Sequence, residues 1–164
     1  MNPKTVILGL GNTILTDDGV GIYVVREIDE LLKRCTLHAA RPTIKEASLG
    51  GFNFIDLLTG YDRAVIVDAI HTKGGKAGEF YELDTAALKP SARLSSLHQI
   101  DFATACELAK NMGVDFPKEI AIFVMEVEDE FSFGEKPTAK VEAAIPKMAE
   151  SIVNNLTNRG WIKN

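Results

Sequence analysis

Three places along the chain bring together residue types that can do chemistry. Asp17-Asp18 closes a glycine-rich stretch, Gly9-Leu10-Gly11-Asn12-Thr13-Ile14-Leu15-Thr16-Asp17-Asp18-Gly19-Val20-Gly21. Asp68 sits inside the apolar run Val65-Ile66-Val67-Asp68-Ala69-Ile70, and His98 follows Ser95-Ser96-Leu97. One aspartate at a helix start is accounted for as a cap, because its side chain satisfies free amides and complements the helix dipole. Two in succession leave one unexplained. Gly19 and Gly21 are costly inside a helix and imply that something approaches the backbone there. A carboxylate in an apolar strand is expensive unless paired, hydrogen-bonded or bound to a cation; alternatively, Asp68 starts the turn before His71. A lone histidine is ordinarily a satisfied core or surface residue, but beside two carboxylates it becomes a candidate ligand. Two oxygens and one imidazole suit a borderline transition metal such as zinc or nickel, with coordination positions left open.

Competing chemistries fit less well. A strand, glycine-rich turn and helix resemble a dinucleotide fingerprint, but Ile14 stands where its third glycine is needed. The acidic pair would also repel a pyrophosphate at the helix start. Gly74-Gly75-Lys76-Ala77 lacks the spacing and the hydroxyl residue of a phosphate loop. No Gly-x-Ser-x-Gly elbow presents a nucleophilic serine. Cys106 falls on an apolar helical face, as a small core residue does. Cys35 follows Lys33-Arg34 without a histidine close in sequence to activate it.

The elements that must position these residues follow from apolar periodicity. Thr5 to Leu10, Ala64 to Ile70 and Ile120 to Met125 are near-continuous apolar runs, as expected of strands covered on both faces. Thr36 to Ala47 and Glu79 to Leu83 supply two further strands. Val20, Tyr23, Val24, Ile28, Leu31 and Leu32 share one helical face, as do Phe102, Cys106, Ala109 and Met112. Val141, Ile145, Met148, Ile152 and Leu156 form a third. The expected fold is α/β: a three-layer sandwich with a mostly parallel, twisted five-stranded sheet flanked by helices on both faces, one domain over residues 1–164. Ligand crevices in open α/β sheets lie at the carboxyl ends of strands, which places Asp68 and the Gly11–Asp18 loop at one edge.

Composition narrows the class. With 164 residues, 46% hydrophobic and 25% charged, the chain suits one globular domain. A net charge of −5 without a basic block disfavours a nucleic-acid partner. No stretch of roughly 18 apolar residues spans a membrane, and the amino terminus lacks the pattern of a secretory signal. Two distant cysteines form no disulfide framework. The expected location is the cytoplasm.

The Gly9–Gly21 loop closely resembles the amino-terminal signature of the [NiFe]-hydrogenase maturation endopeptidases, a Gly-Asn-x-Leu-x-x-Asp-Asp/Glu-Gly pattern after the first strand. In that family the second acidic residue is a metal ligand, here Asp18. Asp68-Ala69-Ile70 matches the second ligand motif, and Ser96-Leu97-His98-Gln99 the third. Glu46–Gly51 and Gly134–Pro137 depart from the family's usual turns. The resemblance implies an endopeptidase of the kind often grouped with aspartyl proteases, with Asp18, Asp68 and His98 as both catalytic and metal-binding residues. It implies no metal cofactor of the enzyme's own. The nickel arrives with the substrate, a hydrogenase large-subunit precursor whose C-terminal extension is removed, although other divalent ions can occupy such a site in vitro. A monomer is expected. The alternative from another class is a non-catalytic nickel-handling or metal-sensing α/β module, and a nucleotide-binding domain stands third.

Overall fold

A computed structural model describes residues 3–34, 41–48, 53–83 and 106–162. The strands are β1 (Thr5–Leu10), β2 (Thr43–Ala47), β3 (Arg63–Ile70), β4 (Phe80–Leu83) and β5 (Glu119–Glu126). The helices are α1 (Val20–Arg34), α2 (Asn53–Leu58) and α3 (Ala139–Asn158), with a further helical segment at 106–112. The five strands form one sheet in the order β2-β1-β3-β5-β4. β1, β2, β3 and β5 are mutually parallel, and β4 runs antiparallel to β5. The order reverses between β1 and β3, so their carboxyl ends flank the switch point at which such sheets open a crevice.

Strict alternation along the strands divides the core into two layers. Ile7, Val65, Val67, Ala121, Phe123 and Met125 meet α1 and α3. Val6, Leu8, Ile66, Ile70, Ile122 and Val124 meet Phe54 and Leu58 of α2. Because every second residue faces each helical layer, the strands read as continuous apolar runs. Val24, Val25, Ile28 and Leu32 of α1 are fully buried, each worth about 1.5–3 kcal/mol relative to exposure. Asp68, between Ile66 and Ile70 in the alternation, takes the α2 side.

Gly21, in the first turn of α1, serves the sheet. A Cβ on Gly21 would collide with the carbonyl oxygens of Leu10 and Val67, so α1 lies directly against β1 and β3. What comes close to Gly21 is the strand itself, whereas a Cβ on Gly19 would meet the Thr13 Cα of the preceding loop.

The strands fall within a residue or two of their expected bounds, except that β2 begins at Thr43 and residues 35–40 lie outside those described. In the 106–112 segment Ala109 is buried as its periodicity implies, yet Met112 is 62% exposed. Met112 ends the segment one residue before Gly113, which turns the chain at positive φ, and Phe102 of the same face lies outside the described residues. Each outer strand carries an acid held by an arginine: Arg26 of α1 forms a two-pronged pair with Glu46 of β2 through Nε and Nη2, and Arg159 shares its Nη2 between both oxygens of Glu82 of β4.

Replacing glycine by alanine in an open helix ordinarily stabilises by about 1 kcal/mol. Gly21→Ala should do the opposite and lower the unfolding free energy by about 1–3 kcal/mol through overpacking against main chain. Urea denaturation checks this, and a variant as stable as the wild type would contradict the close packing.

Candidate active site

The loop from β1 to α1 is built on its own main chain. Gly11 turns at a φ of 137° with its Cα against the Asp18 carbonyl, where no side chain fits. Its amide donates to Ala47 O at 3.1 Å. Asn12 O accepts from the Leu15 amide at 3.0 Å, and Asn12 Oδ1 from the Ile14 amide at 3.1 Å. Asp18, half-buried, accepts from the Asn12 amide through Oδ2 at 2.7 Å. That single bond folds the loop back on itself and fixes the carboxylate at the carboxyl end of β1.

Asp17 is fully buried and turns away from Asp18. Oδ1 accepts from the Thr138 amide at 2.6 Å, while Oδ2 accepts from Thr138 Oγ1 at 3.0 Å and the Glu128 and Asp129 amides at 3.2 and 3.1 Å. Thr138 is the residue immediately before α3. Asp17 is therefore not a cap on the helix that follows it in sequence. It satisfies the free amide before α3 and ties the 128–138 loop to the Asp18 loop.

Asp68 is the costly residue of the sheet. It is 2% exposed. Oδ1 accepts from the adjacent Ala69 amide at 2.8 Å, and Oδ2 has no hydrogen-bond partner. Burial pushes its carboxyl up to about 8, the Ala69 amide opposes the shift, and the charges of Asp18 and Glu130 add to it. Asp18 and Asp68 therefore share an electrostatic neighbourhood at the carboxyl ends of β1 and β3, as expected. Glu130 joins them from the loop after β5. Its only trace in the sequence is its place in the acidic run Glu126-Val127-Glu128-Asp129-Glu130. His98 lies outside the described residues, and among those described no group of three acids, histidines or cysteines is close enough to hold an ion.

A second buried carboxylate, Glu126, is satisfied. It accepts from the Thr72 amide at 3.0 Å, Thr72 Oγ1 at 2.6 Å and the Tyr81 hydroxyl at 2.9 Å. Burial, followed by this bond, pushes the Tyr81 phenol up to about 12. The bonds anchor the turn after β3 to the ends of β4 and β5. The Cys106 thiol is pushed up to about 11 by burial, so it is neutral near pH 7 and unsuited to nucleophilic attack. Cys35 lies outside the described residues. An open cavity of about 750 Å3 adjoins His71, Phe80 and the first turns of α3, on the opposite face of the sheet from Asp68.

An open α/β sheet with carboxylates gathered at the switch point defines the class: an enzyme whose site is assembled from loops at the carboxyl ends of the strands. The sequence profile of the hydrogenase maturation proteases matches residues 22–155, a span that includes Asp68 and His98. Over 161 residues the chain is 29% identical to the hydrogenase expression/formation protein HupD of Rhizobium leguminosarum bv. viciae, covering 97% of this chain and 76% of the relative. It is 26% identical over 159 residues to the hydrogenase 2 maturation protease of Escherichia coli (strain K12), covering 96% and 93%. The structure superposes on the hydrogenase maturating endopeptidase HybD from E. coli with a TM-score of 0.73 at 25% identity, covering 98% and 95% of the two chains. The chain belongs to the hydrogenase maturation protease family, whose members are peptidases.

Two expectations follow from the two buried aspartates. Asp17→Ala strips the acceptor from three amides and a hydroxyl, each costing about 1–3 kcal/mol if left unpaired in the interior. The loss of stability in urea should reach about 3 kcal/mol or more, and a loss near the 1 kcal/mol of a helix cap would contradict this role. Asp68 works in the other direction. Its proton is held more tightly folded than unfolded, so its contribution to stability is greatest below the unfolded value near 4 and falls as pH rises towards about 8. Asp68→Asn should therefore gain on the wild type between about pH 5 and 8 and level off above, as read from urea midpoints across pH. A constant difference across that window would contradict the shifted carboxyl.

Proposed function

We propose that this protein removes the C-terminal extension of a nickel-loaded [NiFe]-hydrogenase large-subunit precursor, acting in the cytoplasm as a monomer. Asp18, Asp68 and His98 are the residues proposed to complete the coordination of the substrate's nickel and to carry the reaction. The observation that carries this reading is Asp68 Oδ2, a buried carboxylate oxygen without a partner at the switch point, whose proton is held on by burial first and by the Asp18 and Glu130 charges in addition. A cluster of carboxylates that repel one another is relieved by a cation. Membership of the maturation proteases, and the name of the E. coli relative, support hydrogenase as the object of the reaction. Among the described residues no helix is long and apolar enough to cross a membrane.

The raised Asp68 carboxyl gives the site its logic. Without a cation Asp68 is largely protonated near neutral pH, and arrival of nickel displaces that proton. The ion can polarise the scissile carbonyl or lower the pKa of a water, while Asp68, once ionised, stands as a base at the same edge. Two carboxylates and one imidazole, with no thiolate, do not by affinity alone reserve a site for nickel, since copper binds such sets more tightly. Selectivity then lies with the substrate, which brings the ion and supplies its other ligands, and the enzyme reads whether nickel is present.

Large subunit prepared nickel-loaded should lose its extension on incubation with this protein, and the nickel-free form should not, as read by intact mass. His98→Ala and Asp68→Ala should slow the processing by about a hundredfold or more while the protein stays folded. Cys106→Ala should process normally. Equal trimming of both preparations would end the reading.

A further inference from the structure

Two loops beside the Asp18 carboxylate pair with each other and present bare apolar side chains. Leu15 and Phe133 form an isolated antiparallel bridge. The Thr16 amide donates to Ser132 O at 2.9 Å, Thr16 Oγ1 donates to the same oxygen at 2.8 Å, and the Gly134 amide donates to Ile14 O at 3.0 Å. Asp129 Oδ1 accepts from the Phe131 and Ser132 amides at 3.3 and 2.9 Å. On this braced ribbon Phe131 and Phe133 are each 84% exposed and Ile14 62%. They are three of the five large apolar side chains exposed among the described residues.

Side chains of this kind gathered on one ribbon mark a surface that meets another molecule. The ribbon is held by hydrogen bonds to both loops and by the buried Asp17, so its phenylalanines are presented with little ordering left to be lost on binding. Five acids lie between Glu126 and Glu135. Glu126 is buried and Glu128 pairs with Lys140 at 3.0 Å, which leaves Glu135 as the exposed acid at the rim, followed by Lys136. The complementary surface is apolar, with a basic residue facing Glu135.

We propose that Phe131 and Phe133, with Ile14 and Leu15 beside them, are the surface on which the folded body of the protein substrate docks, so that its extension enters the Asp18–Asp68 cleft from this side. The inference rests on the reading of the chain as a peptidase of the hydrogenase large subunit. It adds where that subunit is held and by what chemistry. Aromatic anchors of this sort carry a disproportionate share of the binding in protein interfaces. Glu135 at the edge of the patch favours a basic residue opposite it.

The test separates docking from cutting. Nickel-loaded large-subunit precursor from the same organism is titrated against wild type, a Phe131→Ala/Phe133→Ala double variant and Glu135→Lys, with Kd read by interferometry and kcat and KM read from extension release. Both phenylalanines are exposed, so the double variant should keep the wild-type Tm. Its Kd and KM should rise by about thirtyfold or more with kcat nearly unchanged. Glu135→Lys should weaken binding at low salt and much less at high salt. If wild type binds through the phenylalanines yet cuts nothing, docking stands and the peptidase reading falls. If wild type cuts and the double variant binds and cuts equally well, the docking surface is refuted. Sedimentation showing that the phenylalanines instead join two copies of this chain, with KM for the precursor unmoved, would refute it as well.

Discussion

The carboxylate of Asp17, buried to zero exposure, holds together segments more than a hundred residues apart. It accepts from the Glu128 and Asp129 amides and from both donors of Thr138. Through these bonds the turn before α1, the loop after β5 and the start of α3 become one unit. Burying a carboxylate is costly unless it is hydrogen-bonded, and four donors bond to this one. The position of Asp18, one residue on, follows from this anchor. So does the position of Glu130, two residues beyond Glu128.

Asp68 poses the opposite case. Its fold neighbours leave one oxygen without a donor, and the nearest charges have the same sign. A protein could remove that penalty by placing a serine or amide nearby, as it does for Glu126 with Thr72 and Tyr81. The contrast between two carboxylates at the ends of neighbouring parallel strands, one saturated and one not, separates a structural acid from one kept available for a ligand. Strain of this sort is retained where function needs it.

The central strands were legible because both faces of the sheet are covered, which writes a continuous apolar run into β1, β3 and β5. The place of Asp68 at the edge shared with the first loop followed from the parallel topology alone. Asp17 was not legible. Its partners lie 111 to 121 residues away, and a short-range pattern offers only the local explanation of a helix cap. Gly19 and Gly21 signalled a close approach correctly, but whether ligand or strand approaches depends on helix packing that no local pattern encodes. Glu130 carries no spacing relative to Asp18 or Asp68 that marks it, and only the fold brings the loop after β5 to their side. His98, the third expected site residue, lies outside the described residues, so its place rests on the motif that contains it.

The paired acids on the two outer strands bear on how an extended chain can be held. Open sheet edges invite a further strand, and many peptide-binding domains take their ligand that way. Here β2 and β4 are only five and four residues long, and Glu46 and Glu82 pair with Arg26 and Arg159. Short edges carrying fixed charge discourage strand addition. A flexible tail reaching this enzyme would then be gripped by loops and side chains at the ends of the strands, with its own main chain left largely unladdered. Recognition by main-chain laddering accepts many sequences alike, whereas a tail held at a few discrete points must satisfy each of them, which makes the geometry of the delivered chain end the quantity that is read.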